Sequence, residues 1–181
     1  MGRCKPGIND LATVDPELAS EWHPTENGNL KPSMFAVNSH VKVQWLGKCG
    51  HSFPGIIKNR HVQKTGCPYC SNQKLLQGFN DLKTRFPKLA EEWDYNKNER
   101  QPNEVIAGGN TSYNWLCQLG HSWSSSIADR KRGDGCPYCS NKRLLIGFND
   151  LATTHPHLAK EWNYDLNEKD HKTILLGQMT M

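Results

Sequence analysis

The sequence predicts a small α+β fold built as compact modules in tandem, and three observations carry that prediction. Cysteine and histidine fall in two paired sets: Cys117-x3-His121-x14-Cys136-x2-Cys139, and upstream of it Cys49-x-His51-x15-Cys67-x2-Cys70. A stretch of about seventy residues recurs along the chain. Only 36% of the 181 residues are apolar, which is thin for one large core and suited to small modules held from within. Four soft or borderline ligands in two close pairs are what tetrahedral zinc takes, so two zinc ions are expected per chain.

Each repeat opens on a Gly-x-Asn-Asp-Leu-x-Thr segment, at residues 7–13, 78–84 and 147–153. Each then runs into Pro-x-Leu-Ala-x-Glu-Trp, at 16–22, 87–93 and 156–162. The second segment reads as a short helix. Proline suits the first helical position, and Leu18, Ala19 and Trp22 share one narrow apolar face, as do Leu89, Ala90 and Trp93, and Leu158, Ala159 and Trp162. Asp15 is a good N-cap, whereas Phe86 and His155 are poor ones. A helix so short is unstable alone, so its tryptophan is expected to dock in a core.

A turn-rich stretch follows, with Asn27-Gly28-Asn29 in one copy and Asn96-Lys97-Asn98 in the next, and then a strand over 41–46 or 111–116 that ends at the first ligand pair. A second strand reaches about Ile57 or Ile127 and leads to a basic turn, Lys58 to His61 or Asp129 to Arg132, read as a hairpin tip. The Cys-Pro-Tyr-Cys knuckle closes each module. Residues 71–76 and 140–145 read as short helices stopped by Gly78 and Gly147. The third copy is expected to stop shortly after Trp162, and residues 175–181 match nothing upstream. The expected units are therefore 1–77, with its metal module from about residue 41, then 78–146, with its module from about 111, then a truncated third repeat and tail over 147–181.

The order of ligand pair, β-hairpin, ligand pair and helix looks like a treble-clef zinc finger. The repeat resembles, more closely, the tandem probable zinc-ribbon or treble-clef family of bacterial, phage and large DNA virus proteins. The residues that carry the resemblance are Leu158 to Trp162, Trp115 to Trp123, Ile127 to Arg130 and Gly135 to Cys139, with their counterparts in the other copies. The resemblance covers nearly the whole chain and implies a fold and a metal rather than an activity. Some members are fused to nuclease-like domains, which implies a nuclease as one possible kind of protein partner. The second module fits the pattern with Cys117, His121, Cys136 and Cys139 as ligands. The first departs from it: Gly47 stands where Cys117 does, and the cysteine has moved to Cys49. Either Cys49 reaches the metal through a distorted turn, or His51, Cys67 and Cys70 borrow His61 or Cys4.

Charge supplies the functional expectation. The formal net charge is +4, and two sites with three thiolates each bring the loaded chain to about +2. Residues 27–80 contain no acid at all, whereas 81–104 hold six acids against five bases. Lys58, Arg60, Lys64 and Lys74 in the first module, and Arg130, Lys131, Arg132, Lys142 and Arg143 in the second, are the candidates to meet phosphates. Sequence-tolerant binding of DNA or RNA is the preferred expectation. A protein-binding adaptor with exposed tryptophan faces is second, and a metal-dependent nuclease third. No catalytic constellation, Ser-His-Asp set or phosphate-cradling glycine loop is recognisable, no small-molecule substrate is evident, and both motif histidines are committed to zinc. An odd count of seven cysteines, four of them in two C-x2-C pairs, with no secretory leader and no apolar run of about 20 residues, is expected of an intracellular chain that neither is secreted nor spans a membrane.

Overall fold

The computed structural model describes residues 4–167 and 169–175. The chain divides into two compact units, one reaching to Asn80 and the other starting at Asp81. Among the described residues, no helix is long and apolar enough to cross a membrane.

In the first unit two one-turn helices, α1 (Leu11–Val14) and α2 (Pro16–Ala19), follow each other with only Asp15 between them. Single turns of helix do not persist alone; here carboxylates fix both starts. Asp10 accepts from the Thr13 N–H, the Thr13 hydroxyl and the Gly7 N–H, and Asp15 accepts from the Leu18 N–H. Gly7 sits at φ +77°, a left-handed conformation that costs glycine nothing and lets its N–H face Asp10. A 3-10 helix, Pro32–Met34, brings the chain back so that the Leu11 N–H donates to Phe35 O at 2.8 Å.

The hairpin β1 (Lys42–Leu46) and β2 (Ser52–Ile56) follows, with Trp45 opposite Phe53. Trp22 joins the outer edge of β1 through a bridge to Trp45, their rings edge to face at 5.6 Å. Leu11, Leu18, Val43, Trp45, Phe53 and Ile57 form the core. The segment expected to be a basic hairpin tip is instead a helix, α3 (Ile57–Val62). The hairpin's tip is the first ligand pair itself, residues 47–51, closed by Gly47 N–H to His51 O at 3.1 Å.

The second unit repeats the plan with α4 (Leu82–Arg85), α5 (Pro87–Glu91), a 3-10 helix Pro102–Glu104, the hairpin β3 (Ser112–Leu116) and β4 (Ser122–Ser126), and α6 (Ile127–Lys131). Trp115 lies opposite Trp123 and is bridged by Trp93. Leu82, Trp93, Val105, Trp115, Trp123 and Ile127 pack together with Cys136. Asp129 to Arg132 is therefore also helix and cap, not hairpin tip. Of the three helix-pair tryptophans expected to dock in a core, Trp93 is buried and Trp22 and Trp162 are only half-buried, while the hairpin tryptophans 45, 115 and 123 are buried.

Two further expectations change. Residues 71–76 and 140–145 form turns, not helices. The reason is a buried asparagine in each unit. Asn80 accepts from the Leu76 N–H and donates to Tyr69 O and Lys74 O, and Asn149 does the same with Leu145, Tyr138 and Arg143. The side-chain amide takes the backbone groups that a helix would have paired internally. The third repeat also goes further than expected. After α7 (Leu151–Thr154) and α8 (Pro156–Lys160) it forms the 3-10 helix His171–Thr173, and the Leu151 N–H donates to Ile174 O at 3.0 Å. Leu175 bridges Asp150 as Ala36 bridges Asp10 and Ile106 bridges Asp81. Residues 176–181 of the expected tail lie outside the described residues.

Candidate metal centres

Each ligand set is assembled from two places. The hairpin tip brings one cysteine and the histidine, and the Cys-Pro-Tyr-Cys knuckle brings two cysteines. At each tip a glycine with positive φ, Gly50 at +79° or Gly120 at +81°, turns the chain so that the histidine faces the knuckle. One ligand atom from each of Cys117, His121, Cys136 and Cys139 lies within 4.8 Å of every other, and the same holds for Cys49, His51, Cys67 and Cys70.

The spacing inside the sets fits a single tetrahedral ion. Metal–sulfur bonds of about 2.3 Å and a metal–nitrogen bond of about 2.05 Å at tetrahedral angles put S and N roughly 3.6 Å apart, and two sulfurs roughly 3.8 Å apart. His121 Nδ1 lies 3.5 Å from Cys117 Sγ, 3.3 Å from Cys139 Sγ and 3.7 Å from Cys136 Sγ, and Cys117 Sγ lies 3.8 Å from Cys139 Sγ. His51 Nδ1 lies 3.5 Å from Cys67 Sγ and 3.4 Å from Cys70 Sγ. Both Cys3His clusters therefore fit zinc.

The thiols' acidities point the same way. Burial and the sulfurs of Cys136 and Cys117 push the Cys139 thiol up to about 12, and burial with Cys49 and Cys67 pushes Cys70 up to about 11. Burial also opposes ionisation of Cys49 and Cys117, but hydrogen bonds, led by the backbone N–H groups of His51 and His121, hold both below the ordinary thiol value. One thiolate is thus easy in each set and the next is not. A dication supplies the charge that lets all three ionise.

The displaced cysteine of the first finger is a member of the set, and Gly47 explains how. The two tips have the same length and the same closing hydrogen bonds: Gly47 N–H to His51 O and Gly50 N–H to Gly47 O match Cys117 N–H to His121 O and Gly120 N–H to Cys117 O. Cys49 occupies the position of Leu119. A Cβ on Gly47 would lie only 3.2 Å from Cys49 Sγ, so the sulfur fills the space a side chain at 47 would need. The other candidates for a fourth ligand are engaged elsewhere. His61 pairs with Asp15 at 2.7 Å, and Cys4 Sγ donates to Ser33 O.

Residues outside the ligand sets support them. The rings of His51 and His121 stand edge-on to Phe79 at 4.3 Å and Phe148 at 4.1 Å, and to Tyr69 and Tyr138 at 5.7 Å. Phe79 and Phe148 open the next repeat, so each finger is closed by residues that sequence reasoning assigned to its successor. A signal was present: the first repeat has Ile8 at this position, no knuckle before it, and Ile8 is exposed.

The basic residues divide into distinct groups. Arg60 and Arg130 are not phosphate contacts, because both are buried. Arg60 donates to Glu21 at 2.7 Å and lies over Trp45 and Phe53, and Arg130 donates to Glu92 at 2.6 Å and lies over Trp115 and Trp123. This pairing ties the Glu of Leu-Ala-x-Glu-Trp to the Arg of Ile-x-x-Arg. Lys64 meets Asp15 at 3.5 Å, Lys142 meets Asp134 at 3.8 Å, and Arg132 pairs with Asp129, all with the cation exposed. Lys131 is exposed over the Phe86 ring. Lys58, Lys74 and Arg143 have no carboxylate partner among the described residues.

A family model described as a probable treble clef zinc finger domain matches the chain twice, over residues 18–73 and 89–142. Each match begins inside the short Pro-led helix and runs past the knuckle, so each holds one complete ligand set. Comparison with curated proteins finds no match.

Proposed function

The chain belongs to the probable treble-clef zinc-finger family, and from that premise we propose that its two zinc-held fingers bind nucleic acid without strong sequence preference. The reading rests on one observation: after buried and paired groups are set aside, each finger still offers cations with no carboxylate partner among the described residues, Lys58 and Lys74 in the first and Arg143 in the second. Lys64, Lys131, Arg132 and Lys142 extend the set. The exposed ion pairs of Lys64, Arg132 and Lys142 are worth little in water, so a phosphate can take the carboxylate's place. Sequence tolerance follows from the shapes available. The longest helix among the described residues has six residues, too short to lie along a major groove and read bases. Zinc's part is to fix the fingers that carry these cations.

Both histidines turn Nδ1 into the ligand cluster, which leaves that nitrogen no role in activating water, so a nuclease reading draws no support from them.

The test is fluorescence anisotropy of labelled duplex and single-stranded DNA and RNA against salt, with zinc-loaded protein. Lys74→Ala combined with Arg143→Ala should weaken binding and flatten the log–log salt slope by about 0.9 for each duplex phosphate that is no longer neutralised. Unchanged affinity and slope, with zinc content intact, would overturn the proposal.

A further inference from the structure

Asn27-Gly28 is the one Asn-Gly pair in the chain. An asparagine before glycine loses its side-chain amide more readily than any other, because no Cβ shields the following backbone nitrogen from the asparagine Cγ. The fold gives this pair a consequence. In the first unit the segment around Trp22 lies along β1: the His23 N–H donates to Gln44 O at 3.1 Å, and the Leu46 N–H donates to Glu21 O at 2.7 Å. Asn27 clamps the same strand from the side. Its Nδ2 donates to Gln44 O at 2.8 Å and to His23 O at 3.4 Å, and its Oδ1 accepts from the Gln44 N–H at 2.8 Å. In the second unit Asn98 clamps Asn114 in the same way, at 2.7 and 2.9 Å, but the residue after it is Glu99.

The hydrogen bonds of the clamp also hold the reaction back. For the Gly28 nitrogen to reach Asn27 Cγ, the side chain must leave Gln44 and His23 and turn toward its own following residue. The Gly28 N–H must also leave Thr25 O, to which it donates at 3.3 Å. Both movements need the turn over residues 23–28 to lift from β1. That strand runs directly into the tip that carries Cys49 and His51, and in so small a module metal binding is folding free energy. Loss of zinc therefore frees the turn.

We propose that Asn27 is a deamidation site that stays closed while the first finger holds zinc and opens when the zinc is gone. In the open chain the Gly28 nitrogen forms a bond to Asn27 Cγ, and the Cγ–Nδ2 bond breaks. The leaving amide takes the Gly28 N–H proton and departs as ammonia, and a five-membered cyclic imide remains. Water then opens the ring at one carbonyl or the other, giving isoaspartate or aspartate. The net change is amide and water to carboxylic acid and ammonia, with no change of oxidation state. Neither product restores the clamp. An aspartate carboxylate has no proton to donate, so its oxygen would face Gln44 O and His23 O with nothing between them. Isoaspartate adds a carbon to the main chain and displaces the turn. The first finger thus keeps a lasting record of zinc loss, because a converted chain takes the ion back more weakly. The second finger keeps none, since Glu99 shields the nitrogen after its clamp. The device is independent of phosphate binding.

The experiment incubates the full chain at neutral pH, zinc-loaded or with chelator, and follows the peptide holding Asn27 by chromatography and mass spectrometry. Asn27 should convert at least about tenfold faster with chelator, as expected for a site that reacts only after opening, and should yield both isoaspartate and aspartate. Gly28→Asn should keep two zinc ions and abolish the fast conversion; asparagine suits the φ of +57° there, as Asn72 and Asn141 show at +55°. Asn27→Asp, one of the two products, should bind zinc at the first site at least about tenfold more weakly in chelator competition, with the second site unchanged. Equal conversion rates with and without zinc would overturn the proposal, as would an unconverted Asn27 in the chelated chain. Aspartate without isoaspartate would overturn the imide route, and wild-type zinc affinity in Asn27→Asp would overturn the lasting record.

Discussion

Gly47 has no side chain because the sulfur of Cys49 needs its space. Alanine there would set a methyl 3.2 Å from Cys49 Sγ and from a carbon of the buried Phe53 ring. Neither can retreat freely, since one is held to the metal and the other is packed in the core. Gly47→Ala should therefore weaken zinc at the first site by about tenfold, in line with overpacking costs of roughly 1–3 kcal/mol, in a chelator competition titration. The double change Gly47→Cys with Cys49→Leu copies the second tip and should retain two zinc ions, whereas Cys49→Ala should lose one. A first site indifferent to Cys49→Ala would remove that residue from the ligand set. Arg60 belongs to the same scale. It and Glu21 are both largely shielded from water, at 8% and 17% side-chain exposure. Arg60→Ala leaves a shielded carboxylate and an unfilled space over two rings, and should destabilise the first finger by about 3–5 kcal/mol in denaturant unfolding. The same change at Arg130 should cost less, because Glu92 keeps more contact with water.

At the scale of elements, three single-turn helices hang on three aspartates, Asp10, Asp81 and Asp150, each nearly or fully buried. Burial opposes the charge on Asp150, but the Thr153 hydroxyl and the N–H groups of Thr153 and Gly147 outweigh it and hold its carboxyl below the ordinary value. A depressed folded-state pKa gives stability that is present above the unfolded value and lost as pH falls through the folded one. Asp150→Ala should destabilise the third repeat by about 0.5–2 kcal/mol at neutral pH, as loss of an N-cap does. That difference should shrink as pH drops below the ordinary carboxylate range. Comparing wild type and variant by amide exchange separates it from acid release of zinc, which both share. The helix pairs also matter to the metal. Phe148 packs on the ring of His121, so Phe148→Ala should lower zinc affinity at the second site while leaving the first unchanged in the same competition titration.

For the whole molecule, the two compact units and their separate ligand sets imply two separable metal transitions. The first site exposes Cys49 and Cys70, whereas the second buries Cys136 and half-buries Cys117. Zinc affinity in such small modules is folding free energy. As chelator is added, the first finger should lose its ion and melt while Trp115 and Trp123 remain ordered, followed by residue-resolved NMR. Simultaneous loss of both ions would show one cooperative core in place of two.

The sequence alone determined the repeat, the second finger's ligand set, three ligands of the first and the strands that flank them. Each of those is a local or recurring pattern: C-x2-C, a turn-rich stretch before a strand that ends at the first ligand pair, and a Pro-led turn with its apolar face. The ends of the repeat and the roles of its charged residues required tertiary structure. The Ile-x-x-Arg position marks Arg60 and Arg130 as candidates for a structural arginine as well as for phosphate contact; only the fold sets the two arginines over indole rings and beside glutamates far away in the chain. The turn at 71–76 could not be told from a helix without Asn80, whose side chain claims its backbone groups. The displaced Cys49 was visible as an anomaly, and the space that makes it a ligand appears only when Gly47, Phe53 and the knuckle are brought together. Local patterns fix where side chains enter, whereas burial and partnership depend on residues distant in sequence, and those decided which cations are left without a carboxylate among the described residues.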